Sequence, residues 1–384
     1  MFLFIDSSVL CSDYYMKGIN FCLIKKTGFY IVLSEIVISE VKNKYSEVLQ
    51  DGIKKTNSAI KGLQGLGVEF NEISNEILRS AQNEYDDFLD MFVIESGLSC
   101  PEPYPSVLHK DIVNRALSRK KPFKKDGKNG YRDYLIWRTF IEFVSNTGNE
   151  TDYYFLTLNC SDFSDELDKK KLHPDLQNEI NASPLSNKKI HYYSTLRDFI
   201  EEVISPRLER IEEDDQLSEL LMNSEETFIL PIMHFIESEL SRLDITQYEI
   251  PFWGDKPEIK DIADVDIESV ESVSKISENE YRIQLKAGAN ITFDSYMNKS
   301  ELASLSKKDL KNINISNSNW NEHCLSIEND VYLDVDVEVL LTITESETYS
   351  AYPEIKISVI EIDSISDSSY CPYCPDYDEE DVDV

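Results

Sequence analysis

In the first 200 residues, apolar runs of four to six residues alternate with longer segments of helical period. That alternation confines this half to one architecture, a parallel sheet flanked by helices. The runs are FLFI at 2–5, YIVL at 30–33, YYFLTL at 153–158 and a last strand at 190–194. Ser34 suits the N-cap of a helix running to about Lys61, and 74–95 and 106–120 show further helical periods. Segment 132–145 sets Asp133, Trp137, Phe140, Ile141 and Val144 on one stripe, so an acid opens an apolar helix face. Before it, KPFKKDGKNG holds three glycine or proline breakers and predicts a turn region. A helix to about residue 204 closes the region.

At 384 residues the chain can bury two independent cores. Its net charge of −34 is unevenly divided. Residues 1–200 carry 25 Lys and Arg against 28 Asp and Glu, and residues 201–384 carry 13 against 44. The expected organisation is therefore a nearly neutral α/β domain over 1–204, an acidic helical segment over 205–250 that reads as a connector or a packed helical pair, and a smaller domain over 251–363. Residues 364–384 form an acidic tail whose composition predicts disorder. Pro251, Phe252, Trp253 and Gly254 mark the second boundary. Beyond them YRIQLK, NITFD, VYLDVDVEVLLTIT and EIKISVIEI alternate as antiparallel strands do, which predicts an α+β domain.

Overall acidity argues against nucleic acid as a partner, because neutralising phosphates drives most of that binding. The uneven division lifts that objection from the first half. Residues 110–138 hold ten Lys and Arg against three acids, and Lys120, Lys121, Lys124, Lys125, Lys128 and Arg132 are the candidates to meet phosphate. The plain alternative is a solvated charge run. Seven cysteines without regular spacing, a start (MFLFIDSS) unlike an export signal, and no apolar run near membrane length predict a cytoplasmic protein with reduced thiols. Cys371 and Cys374 form CPYC but lack a second ligand pair nearby, which argues against structural zinc.

Four acids stand where open α/β sheets build active sites, beyond strand ends and at nearby helix starts. Asp6 follows the first strand, Glu40 lies in the helix after the second, Asp133 opens the helix after the basic loop, and Asp162 follows YYFLTL. Carboxylates without histidine or cysteine partners suit the hard ions Mg2+ and Mn2+, which can activate water and orient attack on a phosphodiester. Taken singly, Asp6 or Asp133 is as well explained as a helix cap. Glu35, Asp126 and Asp165 lie close in sequence and can be supporting or merely solvated. His173, before a proline, suits a turn.

These residues resemble the PIN-domain family of nucleases. FIDSSVL is similar to its first motif (Asp6, with Ser7 or Ser8), VISEV to its second (Glu40), GYRDYLIW to its third (Asp133) and FLTLNCSDF to its fourth (Thr157, Asn159, Asp162). The resemblance covers about half the chain. It implies a three-layer sandwich around a parallel sheet, and a metal-dependent endoribonuclease that is at once catalytic and metal-binding at Asp6, Glu40, Asp133 and Asp162. Ser8, Thr157 and Asn159 would support those ligands. It further implies an RNA substrate, single-stranded before structured, and a toxin or antiphage effector as the biological role.

Three other readings stand beside it. A structure-specific DNA nuclease would use the same site, and a non-catalytic PIN-like protein would bind without cleaving. An aspartyl phosphatase needs a second acid two residues after Asp6, where this chain has Ser8. The acidic half offers a surface for a protein partner, or a shield over the active site. Solubility explains its charge equally well. Membrane association is not expected, and an oligomer stays open.

Overall fold

The computed structural model describes residues 1–95, 101–124, 127, 129–148, 151–182, 184–210, 215–244, 246, 254–305, 313–318, 321–344 and 354–367. They form two units, Met1–Arg207 and Leu208–Val384.

The first unit is built on four parallel strands in the order β2-β1-β3-β4, with β1 at Phe2–Ile5, β2 at Tyr30–Val32, β3 at Asp152–Leu156 and β4 at Lys189–Tyr193. The central strands are apolar on both faces because helices cover both. They are α1 (Ser7–Leu10), α2 (Ile19–Lys26), α3 (Glu35–Gly65), α4 (Asn75–Glu95), α5 (His109–Leu117), α6 (Tyr131–Asn146), α7 (Cys160–Phe163), α8 (Pro174–Ala182) and α9 (Leu196–Phe199). Ser34 caps α3 by accepting from the Val37 amide at 3.2 Å. The aromatic stripe of α6 packs on the sheet: Phe140 lies 5.0 Å from Phe155 and 5.5 Å from Phe4, and Trp137 is fully buried.

Chain order sets the position of the site. From β1 the chain passes to β2 on one side and later returns to β3 on the other, so a crevice opens beyond the carboxyl ends of β1 and β3. Ile5 pairs with Leu156, and the ladder continues one step as the Asp6 amide donates to the Leu156 carbonyl at 3.0 Å. Asp6 and Thr157, 151 residues apart in sequence, thus emerge side by side.

The second unit is a six-stranded antiparallel sheet in the order β10-β9-β7-β6-β5, with β8 on β9. Its strands are β5 (Glu209–Arg210), β6 (Asp255–Lys275), β7 (Glu280–Asn298), β8 (Asn314–Asn317), β9 (Cys324–Thr344) and β10 (Glu354–Asp367). Here two expected boundaries are corrected. The acidic segment 205–250 is not a separate connector: α10 (Asp215–Met222), the π-helical turn Glu225–Ile229 and α11 (Leu230–Leu240) bury Leu221, Phe228, Ile232, Ile236 and Leu240 in the core of the sheet. Burial of five large apolar side chains outweighs the charge on the outer faces of these helices. The tail also begins later than expected, since β10 continues through residues 364–367. Residues 368–384, with Cys371 and Cys374, lie outside those described.

Alternation explains much of the acidity. On β9, Leu333, Val335, Val337, Val339 and Leu341 face the helices while Asp334, Asp336 and Glu338 face the other way. Cross-strand pairs take up part of that charge: Arg282 with Glu338, Lys286 with Asp334 at 3.2 Å, and Tyr332 donating to Glu268 at 3.0 Å. Among the described residues nothing beyond the short pairing with β5 covers the outer edge of β6, and Asp261, Asp264, Asp266, Glu268 and Glu271 with five register shifts guard that edge against pairing with other chains.

Gly288 allows Tyr332 to cross β7, for a Cβ at that position would overlap the Tyr332 hydroxyl. Gly288→Ala should displace this ring, break its bond to Glu268 and destabilise the second unit by about 1–3 kcal/mol. Thermal denaturation of the full chain reads this as a lowered transition, and an unchanged transition would show that Tyr332 does not depend on the glycine.

Candidate active site

The first unit gathers its acids at the crevice beyond β1 and β3. Asp6 is 2 % exposed and precedes α1, but its side chain makes no capping bond, so the cap explanation does not apply. It accepts instead from Ser8 Oγ at 2.6 Å, Thr157 Oγ1 at 2.7 Å and Ser7 Oγ at 3.4 Å. Three hydroxyls from two chain segments therefore fix one carboxylate. Thr157 is held in turn as the Asn159 amide donates to its Oγ1 at 3.0 Å, and the Leu158 amide donates to Ser8 Oγ at 2.9 Å.

Glu40 sits in the second turn of α3 with Oε2 accepting from Ser7 Oγ at 3.0 Å and Oε1 paired to Arg132 at 2.9 Å. Ser7 thus bridges Asp6 and Glu40. Asp133 lies in the first turn of α6, where the positive helix end favours a carboxylate. The Asn159 side-chain amide donates to Asp133 Oδ1 at 3.0 Å and to Asp162 Oδ2 at 2.9 Å, and Ser161 donates to the Asn159 carbonyl oxygen at 2.9 Å. Asn159 is therefore a clip between two acids and offers them donors where a further carboxylate would repel.

The four carboxylates act on one another. Burial, followed by the charges of Asp162, Asp6 and Glu40, pushes Asp133 up from 3.8 to about 6. Asp162 is 4 % exposed and its Oδ1 has no hydrogen-bond partner. Among the described residues no three His, Cys, Asp or Glu side chains already form a metal cage, because hydroxyls, the Asn159 amide and Arg132 hold the acids in their present places. The donors nonetheless fit a hard divalent cation: all are oxygens, one buried oxygen is unpartnered, and the mutual repulsion is what such an ion relieves.

A cavity of about 450 Å³ opens at three of these acids, lined by Glu40, Asp133 and Asp162 with Asn159, Lys124 and Arg132, while Asp6 does not line it. Of the basic residues expected to meet phosphate, Lys124 and Arg132 stand at the cavity. Arg132 is not free, being paired with Glu40. Lys121 turns inward and donates Nζ to the Ser161 carbonyl at 2.5 Å, which ties the basic loop to the fourth acid's segment. Lys120 is exposed and does not line the cavity, while Lys125 and Lys128 lie outside the described residues. His173 accepts from the Asp175 amide at 3.2 Å, a turn contact. The two hydroxyls that follow Asp6 in the first motif both bond its carboxylate, whereas nothing in the sequence pointed to Glu179 or to a buried role for Arg115.

A model of the PIN-domain family matches residues 3–163. This region is a PIN domain. The match opens in β1 and ends one residue after Asp162, so it spans all four acids. PIN domains are generally nucleases and typically use divalent metal ions. No curated protein and no solved structure matches the chain. Among the described residues no helix is long and apolar enough to cross a membrane.

Gly130 joins the basic loop to α6 at φ +109°, and a Cβ there would strike the Pro122 carbonyl oxygen and lie 2.7 Å from Phe123 Cα. No flexible side chain can yield, since both neighbours are backbone. Gly130→Ala should therefore move Lys124 and Asp133 together, destabilise the PIN domain by about 1–3 kcal/mol, and weaken divalent-ion binding. Titration of Mn2+ against the variant measures the second effect, and wild-type affinity would contradict it.

Proposed function

We propose that the PIN domain hydrolyses RNA phosphodiester bonds, with Mg2+ or Mn2+ held by Asp6, Glu40, Asp133 and Asp162. The observation that carries this reading is a cavity lined by Glu40, Asp133 and Asp162 together with Lys124 and Arg132, with Asp6 joined to Glu40 through the Ser7 hydroxyl. When bound, the ion supplies a polarised water and stabilises charge on the phosphoryl oxygens. The chain's own residues do the rest. Ser7, Ser8 and Thr157 hold Asp6 as an acceptor-only carboxylate aimed away from the sheet. Asn159 keeps Asp133 and Asp162 together despite their repulsion. Lys124 and Arg132 attract the phosphate backbone, and an unpaired strand suits the open cavity because its backbone can enter beside the acids.

Incubation of the full chain with single-stranded RNA and Mn2+ or Mg2+, with EDTA as the control, tests the proposal. The expected result is internal cleavage that EDTA abolishes. Intact RNA with both ions would leave a binding protein without catalysis, and cleavage confined to structured DNA would move the substrate to DNA. An active enzyme of this kind arrests growth when expressed, as a toxin or antiphage effector does, and Asp6→Asn relieves the arrest.

A further inference from the structure

The loop that carries Lys124 is held by a buried ionic network that the four acids do not use. Arg115, in the last turn of α5, is 8 % exposed. Its Nε donates to the Lys121 carbonyl at 2.7 Å, its Nη2 reaches the same oxygen, and its Nη1 pairs with Glu179 of α8. Its guanidinium also lies over the Tyr134 ring, 4.9 Å from the centroid. The other Glu179 oxygen accepts from Trp137 Nε1 at 2.7 Å, so the network ends in the core of α6. At the same residue, the Lys121 amide donates to Asp175 at 3.0 Å.

Burying a guanidinium is expensive, and pairing with one carboxylate rarely offsets the loss of water. Two of this guanidinium's nitrogens bind a loop carbonyl, so the network determines where the loop stands. The consequence is visible further along. Phe123 is buried, the Lys124 amide donates to the Asn129 carbonyl at 3.0 Å and the Gly127 amide to the Lys124 carbonyl at 2.8 Å, which closes the loop beneath the exposed Lys124 side chain.

We infer that Lys124 takes a backbone phosphate of the RNA strand and that Arg115, by fixing the Lys121 carbonyl, is its positioning residue. The inference rests on the nuclease reading for the identity of the strand. Preorganisation matters because a lysine on a loose loop would have to be ordered by the substrate, at the expense of affinity.

The test measures binding of a fluorescent single-stranded RNA by the full chain carrying Asp6→Asn, in EDTA, so that no cleavage intervenes. Lys124→Ala should weaken binding about 10-fold and lower the slope of log affinity against log salt by about 0.7, the value for one phosphate contact on a single strand. Arg115→Met should do the same with the circular dichroism of the parent, and the double variant should be no weaker than the weaker single one. If Arg115→Met does not fold, Glu179→Gln, which keeps an acceptor for Trp137, should show a smaller change of the same kind.

Additive effects, or an Arg115 variant with an unchanged salt slope, would reduce Arg115 to a structural residue and overturn the inference while cleavage by the wild type still stood. Absence of RNA binding in the parent would overturn it as well. Coupled losses of binding in a chain that cleaves nothing with metal would support the loop and remove the nuclease reading.

Discussion

Replacing Asp6 by Asn should lower RNA cleavage by about 10³-fold or more, since several kcal/mol of charge stabilisation at the phosphate pass through the acids that hold the ion. The same change should leave the fold intact. Asn keeps the volume and planarity of Asp, and the three hydroxyls around it can turn to receive an amide donor as readily as they donate to a carboxylate. The measurement is single-turnover cleavage at saturating Mn2+ beside thermal denaturation in EDTA. A variant with lost activity and a lowered melting point would point to a structural Asp6, and a variant with retained activity would remove it from the reaction.

The second large effect runs in the opposite direction for stability. The carboxyl of Asp133 is raised to about 6 in the folded chain from an ordinary value of 3.8, first by burial and then by the charges of Asp162, Asp6 and Glu40. A raised acid favours its protonated form, so the folded state binds the extra proton between these two values. Stability is fully present below 3.8, falls as pH rises through about 6, and stays low above it. At pH 8 without metal, the wild type therefore carries a penalty of about 3 kcal/mol.

Asp133→Asn removes that penalty. Its melting point in EDTA at pH 8 should rise by about 6–12 °C, and the gain should vanish as the pH is lowered to 4. Added Mn2+ should reverse the order, stabilising the wild type more than the variant, while cleavage by the variant is lost. Equal melting points in EDTA at pH 8 would mean that the repulsion at Asp133 is relieved by other means. The expected pattern is that of a site arranged for function against stability.

Periodicity carried the first unit well. The strands expected at 2–5, 30–33, 153–158 and 190–194 lie within two residues of β1 to β4, because each is a short apolar run bounded by polar residues. The helices of residues 34–61, 74–95 and 132–145 were legible for the same local reason, an apolar stripe of helical period. The second unit was less so. Its strands β6, β7 and β9 run 21, 19 and 21 residues, far beyond an ordinary strand of about 5–6 residues. The bulged β6, with its acids breaking the alternation, did not stand out as a strand at all. Segment 205–250 looked like a connector because its charges are visible in sequence and its buried stripe of Leu221, Phe228, Ile232, Ile236 and Leu240 has no meaning until a sheet lies beneath it.

The alternation of apolar runs and helical segments determined the parallel sheet and placed the four acids just beyond its strands or within the opening turns of the helices that follow. Residue type alone made them candidates for a hard cation. These are local properties, since a period and a ligand's chemistry are present before the chain folds. Which acids meet was decided only in three dimensions, when the strand order brought β3 against β1 and Thr157 against Asp6. The same holds for the Asn159 clip, the pairing of Arg132 with Glu40, and the Arg115 network beneath the basic loop. Each joins side chains from separate elements, and hydrogen bonds of that kind depend on packing distances that no local propensity encodes.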